Sequence, residues 1–512
     1  MNAVSRRELM RCGTVLGAGM VCGAALPIAD CVTRLAMAQG RGSGRTPVRI
    51  SPDNPAVVFN ERACSHCGRC EATCVAQGVL RSLDASKLRD TRTPPCTYCG
   101  QCTNQCRRSG ITERIEFPQL RELVMAKKRS MGTDDRILIA STSPAVRVAL
   151  GESFGDIPGT IREGRMVTAL RKIGFQYVLD TTFAADLTVM EEAAELNERL
   201  EAKWNDASSG NNTVGGNVRL PMFTSCCPGW VAFLELFYPE LLPHLSSVKS
   251  PVMMQGAIVK TWFAQRMGID PALIMHVAIT PCTAKKFEVR RPELNTARRV
   301  SGDERLRDVD WSLTCRETAA WIAGDGVQWN TLADGEFDSM MGRGSGGGVI
   351  FGSTGGVMEA TLRTTYHRMT GEMPPAELFA MEAVHGLTGV KEATVRIGDR
   401  TMRVAAVNGT GNVRPLLDAI LSGRQEYDFV EVMACPGGCV GGGGQPKPGG
   451  NGRPTDALRA ARSEALHTED RKTLRRCSFQ NPEIQEFYAD FAGEPLSDTA
   501  LALLHTSDAT GE

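Results

Sequence analysis

The chain has 512 residues, 58 Lys plus Arg against 58 Asp plus Glu, and 42% hydrophobic residues. That length allows about two to four domains around a large core, and a formal net charge of zero gives no sign of a nucleic-acid partner. The 53 glycines and 18 cysteines stand out; cysteines gathered in short regular clusters of a large chain point to metal, not to the disulfide framework of a small secreted domain.

In chain order, the first segment is SRRELMRCGTVLGAGMVCGAALPIADCVTRLAMAQG, with Arg6 and Arg7 ahead of an apolar run and Ala36, Met37 and Ala38 forming a small-residue cleavage site. The run from Cys12 to Ala29 is glycine-rich and short for a membrane span. Residues 1–38 therefore read as a twin-arginine signal peptide, removed on export to the periplasm and carrying Cys12, Cys22 and Cys31 away. Residues 39–59 read as a linker.

Residues 60–115 hold CSHCGRCEATC (Cys64, Cys67, Cys70, Cys74) and CTYCGQCTNQC (Cys96, Cys99, Cys102, Cys106). Each is a C-x2-C-x2-C-x3-C run, in which three thiolates hold one [4Fe-4S] cube and the fourth crosses to the other. Cys64, Cys67, Cys70 and Cys106 are expected on one cluster, and Cys96, Cys99, Cys102 and Cys74 on the second. Disulfides or structural zinc are the alternatives, but zinc has no use for a third and fourth cysteine in each run. Val75 and Arg107 stand where proline usually follows the fourth cysteine. Such a pair of clusters is an electron wire, so chemistry is expected further along the chain.

Apolar strand-like runs (RILIAST, HVAIT, RVAAVNG, FVEVMAC) alternate with helical stretches and predict an α/β fold from residue 116 to about 455. Within it, Cys226 and Cys227 in TSCCPGW, Cys282 in TPCTAKKFE, and Cys435 and Cys439 in EVMACPGGCVGGGGQP fall at junctions after apolar runs. Cys315 reads as a small buried residue of a helix, and Cys477 has no evident partner. Glu192 and Glu195 in MEEAAELNERL read, by pattern, as a solvated helix face. The four glycines 441–444 would ordinarily be a flexible loop or phosphate cradle, yet no G-x4-G-K-[ST] run is present.

These three cysteine motifs resemble, in order and separation, the signature motifs of the [FeFe] hydrogenases. The likeness extends through TSPAVRVALGESFG, DTTFAADLTVMEEAAEL, SPVMMQGAIVKTWFA, VIFGSTGGVMEATLRT and FYADFAGEPL. It implies a two-lobed α/β catalytic domain beside a small α+β ferredoxin-like 2[4Fe-4S] domain. It also implies an H-cluster, a [4Fe-4S] cube joined to a diiron unit with carbon monoxide, cyanide and a bridging dithiolate. Carried over by motif, Cys227, Cys282, Cys435 and Cys439 hold the cube, Cys439 bridging to the diiron unit. Cys435 and Cys439 are expected on one side of a helical turn.

By the same resemblance, Cys226 is the first proton carrier, followed by Glu192, Ser246 and Glu195 toward the surface, with Arg199 near the exit. Lys285 is expected to hydrogen-bond a cyanide ligand, Glu288 to join a supporting network, and Met433 and Phe351 to line the apolar cavity. Thr280 and Val252 depart from the family's usual methionine and glutamine. Residues 456–512 resemble the small subunit that periplasmic relatives carry separately, so no separate small subunit is required. The expected activity is reversible oxidation of dihydrogen, in the uptake direction, with electrons passing to a c-type cytochrome or ferredoxin and with maturation proteins as further partners. A hydrogen sensor or non-catalytic iron-sulfur scaffold is the alternative.

Overall fold

The computed structural model describes residues 48, 50–80, 95–209, 219–387 and 389–506. The signal peptide expected over 1–38, with its three cysteines, lies outside the described residues. Among these, no helix is long and apolar enough to cross a membrane.

Two four-stranded sheets carry the α/β part. The first, in the order β4 (Tyr177–Asp180), β3 (Ile137–Thr142), β6 (Ile274–Thr280), β7 (Trp311–Thr314), is parallel throughout. Its central strand β3 is buried along nearly its whole length, as expected of a parallel strand covered by helices on both faces. The second has the order β5 (Met222–Phe223), β10 (Phe429–Met433), β9 (Arg400–Asn408), β8 (Val390–Ile397), with only β8 antiparallel. Exposed and covered residues largely alternate along β8, the pattern of an edge strand with one face in water.

Between the sheets runs a 29-residue helix, Thr181–Ser209. It packs on the helices Gly356–Thr370, Pro251–Ile258 and Gly346–Ile350, and for that reason its carboxylates Asp186, Glu191, Glu192 and Glu195 are buried. Asp186 is satisfied by the Ser345 backbone and hydroxyl, Ser478 and Asn481. The last two come from the C-terminal segment, which is thus part of the core. Arg462 of the same segment reaches Glu152 and the Val440 carbonyl, and Asp470 accepts from Arg363.

The cysteine-rich part is a two-stranded antiparallel sheet, β1 (Val57–Phe59) on β2 (Ile111–Glu113), with short helices Arg69–Ala76 and Gln101–Gln105. β1 lies in the stretch expected to be a linker, and Val48, Ala56 and Val57 pack with Cys70 and Ile111. The linker expectation over 39–59 is therefore corrected at its C-terminal end. Those apolar residues were too few and too broken by Pro, Asp and Asn to show a strand period. Arg316 joins this part to the rest, through Glu113, Thr103 and the Gly443 and Gln445 carbonyls.

Candidate active site

The three cysteine motifs leave the C-terminal ends of parallel strands. Cys226 and Cys227 follow β5, Cys282 follows β6, and Cys435 follows β10. In parallel sheets those ends open a crevice between loops, the usual place for a ligand, so the topology gathers residues more than 200 positions apart.

A cavity of about 70 Å³ opens there, lined by Cys226, Cys227, Cys282, Cys439, Lys285 and the apolar Phe351, Met433 and Val252. Cys435 is buried beside these loops, where Cys282, Cys99, Cys227 and Cys439 add to burial in raising its thiol. Burial holds the thiols above their ordinary range, Cys282 at about 12, so thiolates at these positions call for a cation. Among the described residues no three His, Cys, Asp or Glu side chains gather tightly enough for a single metal ion. Thiols standing around a wider space suit a cube better than zinc.

Cys435 and Cys439 do not lie on a helical turn as expected. Gly437 and Gly438 both adopt positive φ, +78° and +84°, a conformation that favours glycine, and they reverse the chain before a short 3-10 turn Cys439–Gly441. Gly437 N–H is held by the Asn408 side chain at the end of β9. Backbone N–H groups also reach thiols: Ala434 N to Cys227 Sγ at 3.4 Å and, in the cysteine-rich part, Val48 N to Cys70 Sγ at 3.4 Å, His66 N to Cys64 Sγ at 3.3 Å and Tyr98 N to Cys96 Sγ at 3.4 Å.

The glycine run 441–444 is neither a flexible loop nor a cradle. All four residues are buried, and an added Cβ would overlap the Pro436, Pro281 and Cys99 carbonyls and the Thr314 side chain in turn. Gln101, Asn104 and Thr103 donate to the carbonyls of Gly441, Gly442 and Gly443. The run is thus where the second cysteine cluster docks onto the site, helped by Thr283 Oγ1 donating to the Tyr98 carbonyl at 2.7 Å.

Within the two cysteine runs the backbone repeats: His66 and Tyr98 have positive φ, and Gly68 and Gly100 cap the following helices in the left-handed region. Cys74 feels the charge of Cys99 and Cys96 of the other run as well as Cys70, and Cys70 that of Cys67 and Cys106. The fourth cysteine of each run therefore faces the other run.

Lys285 is buried and ion-paired to Glu288 at 2.7 Å, with the Cys226 carbonyl at 3.3 Å. Burial works against its charge, but Glu288 outweighs that and raises the ammonium above its ordinary value. Removing Glu288 would strand a buried cation at a cost of about 3–5 kcal/mol. Thr280 lines the cavity too, its hydroxyl bonded to both the N–H and the carbonyl of Cys282.

Behind Cys226 the long helix places Glu192, fully buried rather than solvated. Burial, then Glu195, pushes its carboxyl up to about 8. Thr361 donates to Oε2 at 3.2 Å, while Oε1 has no partner. Ser246 Oγ donates to Glu195 Oε2 at 2.7 Å, and Arg199 is paired to Glu195 Oε1 at 2.5 Å. Burial, followed by Glu192, also raises the Cys226 thiol. Glu192, Glu195 and Arg199 thus lie on the long helix, while Cys226 follows β5 and Ser246 lies on the separate loop before the helix Pro251–Ile258.

Sequence reasoning missed Glu431, on β10, fully buried and bonded to the N–H groups of Gly355 and Met358. Burial raises its carboxyl to about 7. Its only sequence signal was a charge inside an apolar strand, FVEVM. Cys315 is buried at the start of a helix, as expected.

Residues 136–443 match the family described as iron only hydrogenase large subunit, C-terminal domain, and residues 456–507 match the iron hydrogenase small subunit. The periplasmic [Fe] hydrogenase large subunit of Nitratidesulfovibrio vulgaris is 48% identical over 308 residues, 60% of this chain and 68% of that one. The NADP-reducing hydrogenase subunit HndD of Solidesulfovibrio fructosivorans is 43% identical over 386 residues, 75% of this chain; the alignment spans 62% of that relative's length. Among solved structures, the apo [FeFe]-hydrogenase HydA1 from Chlamydomonas reinhardtii aligns with TM-score 0.64 and 38% identity, over 77% of this chain and 98% of that one. A more distant likeness, 28% over 398 residues (76% of this chain and 90% of that one), reaches the cytosolic Fe-S cluster assembly factor narfl of Danio rerio. With large-subunit and small-subunit regions in one polypeptide, the chain belongs to the [FeFe] hydrogenases, a family of oxidoreductases that act on hydrogen at an H-cluster.

Proposed function

We propose that this protein catalyses the reversible oxidation of dihydrogen, running in the uptake direction outside the cytoplasmic membrane. The observation that carries the reading is the convergence of Cys227, Cys282, Cys435 and Cys439 on one crevice whose cavity also presents Cys226 and Lys285. The four cysteines would hold the cube of an H-cluster. When bound, its diiron unit supplies the redox chemistry that takes dihydrogen to two protons and two electrons.

The chain's own part is to hold, dry and connect. Lys285 offers a buried, charge-assisted donor to an anionic ligand in the cavity, while Phe351, Met433 and Val252 keep water out. Cys226 takes a proton from the cavity and hands it to Glu192, whose unpartnered Oε1 is free to receive it. Ser246 and Glu195 carry the path outward, with Arg199 near the exit, paired to Glu195. Cys96, Cys99, Cys102 and Cys74 beside the glycine run would hold one [4Fe-4S] cluster and Cys64, Cys67, Cys70 and Cys106, nearer the surface, would hold another, a pair that would supply one-electron transfer between the site and an outside carrier. Cys67, exposed, marks where a c-type cytochrome or ferredoxin would dock. Export by the twin-arginine route fits a protein loaded with clusters by maturation partners before it leaves, and a periplasmic relative supports the location.

The scaffold or sensor alternative draws on the likeness to the assembly factor. It gives no use for a buried thiol backed by a buried carboxylate path. Cys226→Ala separates the two: the variant is expected to keep its iron content and lose about 10²-fold or more in dye-linked hydrogen oxidation. Unchanged turnover in that variant would remove the relay, and no turnover in fully loaded wild type would favour the scaffold.

A further inference from the structure

His505 belongs to the C-terminal segment yet reaches the proton path through Ser247. It follows the helix Asp498–Leu504 and is completely buried. The backbone pins it there: Thr506 N donates to the Ser247 carbonyl and Lys249 N to the Leu504 carbonyl, both at 2.8 Å. Its ring then lies between two groups, with Nε2 3.0 Å from Glu191 Oε2 and Nδ1 2.7 Å from Ser247 Oγ.

Glu191 settles which nitrogen carries the proton. Its Oε1 accepts from the Tyr488 hydroxyl at 2.5 Å and its Oε2 from Leu496 N–H at 2.9 Å. Burial, then Glu191, holds the Tyr488 phenol well above its ordinary range, so the phenol stays a donor. A carboxylate with these donors accepts a third from Nε2–H. Nδ1 is left facing Ser247.

The Ser247 hydroxyl has one proton and two acceptors. Glu195 Oε2 lies 3.3 Å from the same oxygen that His505 Nδ1 approaches at 2.7 Å. When His505 is neutral, Ser247 donates to Nδ1. When Nδ1 carries a proton it becomes a donor, and the hydroxyl is released to Glu195. We propose that His505 is a positioning residue of the proton path, setting through Ser247 whether Glu195 receives an additional hydrogen bond. A donated hydrogen bond favours the carboxylate of Glu195, the form that accepts the next proton. The inference rests on Glu195 lying in the path.

Among the described residues, Glu198 on the long helix feels His505 and Arg368, Arg368 on the helix Gly356–Thr370 also acts on Tyr488, Arg199 is paired to Glu195, and Lys249 is paired to Asp308. None comes between His505 and Ser247.

The test uses the loaded full-length protein with His505→Gln, Ser247→Ala and Glu195→Gln. Glutamine keeps a donor for Glu191 and an acceptor for Ser247 but cannot take a proton. His505→Gln holds the Ser247 hydroxyl on the amide and Ser247→Ala removes it, so both variants should displace the acid limb of the pH–rate profile upward. The Glu195 carboxyl infrared band, assigned by its loss in Glu195→Gln, should change in both variants. If Glu195→Gln slows turnover while both other variants overlay wild type in profile and band, the proposal is overturned and the relay stands. If Glu195→Gln turns over as wild type, the relay itself fails. Should His505→Gln not fold, Ser247→Ala, which leaves the ring in place, decides alone.

Discussion

Glu192 and Glu195 stand three positions apart on one helix, and their sequence, MEEAAELNERL, gives no hint of what surrounds them. Helix packing buries Glu192 against Thr361 and Cys226, and its proton is held up to about pH 8 against an ordinary 4.5. Since the folded state binds this proton more tightly than the unfolded chain, Glu192 stabilises the fold fully below about pH 4.5. That contribution is lost as pH rises through 8, an effect on the order of a few kcal/mol. Glu192→Gln should therefore melt higher than wild type at pH 8 and no higher at pH 4, by scanning calorimetry, while losing most hydrogen turnover. Equal melting shifts at both pH values would show that burial does not govern this carboxyl. The eight cysteines of the two C-x2-C-x2-C-x3-C runs were expected as ligands from their spacing, whereas Cys227, Cys282, Cys435 and Cys439 were expected only through the family resemblance. Glu431 and His505 were not, because each gains its role from residues far away in sequence.

At the scale of elements, the glycines 441–444 matter for the space they leave, not for backbone freedom; none of them has positive φ. Gly443 faces the Cys99 carbonyl and Gly100 faces Thr283, so the second cysteine run lies in backbone contact with the active-site loops. An added methyl at Gly443 should cost about 1–3 kcal/mol through overpacking and force the two apart. Gly443→Ala is expected to slow electron transfer to an external carrier more than hydrogen–deuterium exchange, measured by mass spectrometry on the same preparation. Equal loss in both assays would mean that the contact serves only the fold. The sequence showed a glycine run and excluded a nucleotide loop, but its docking partner, more than 300 residues upstream, has no local signature. β1 lay hidden inside what read as a linker because its apolar residues are too few to show a strand period, and a turn of two positive-φ glycines lay inside what read as a helical turn.

Over the whole molecule, the C-terminal segment behaves as a built-in subunit. Arg462, Asp470, Ser478, Asn481 and Tyr488 hold it through buried charged and polar contacts to Glu152, Arg363, Asp186 and Glu191. The connection before it runs through exposed Gly449 and Gly450. A protease site introduced after Gly450 should therefore give two fragments that co-elute on gel filtration and keep hydrogen turnover within about two-fold, since loop tips tolerate cutting. Fragments that part without denaturant would contradict the contacts described. The α/β class, the alternating strands and this segment's separateness could be read from the sequence. The pairing of the two sheets around one helix could not, because strand order is set by packing between distant segments.

The central claim, that these cysteines and this cavity build a hydrogen-activating diiron site, is tested most directly by infrared spectroscopy of anaerobically matured protein, with and without hydrogen. The account predicts carbonyl and cyanide bands that shift when hydrogen is admitted. No such bands, in a preparation where a control hydrogenase matures normally, would contradict it and leave a protein that holds iron-sulfur cubes alone.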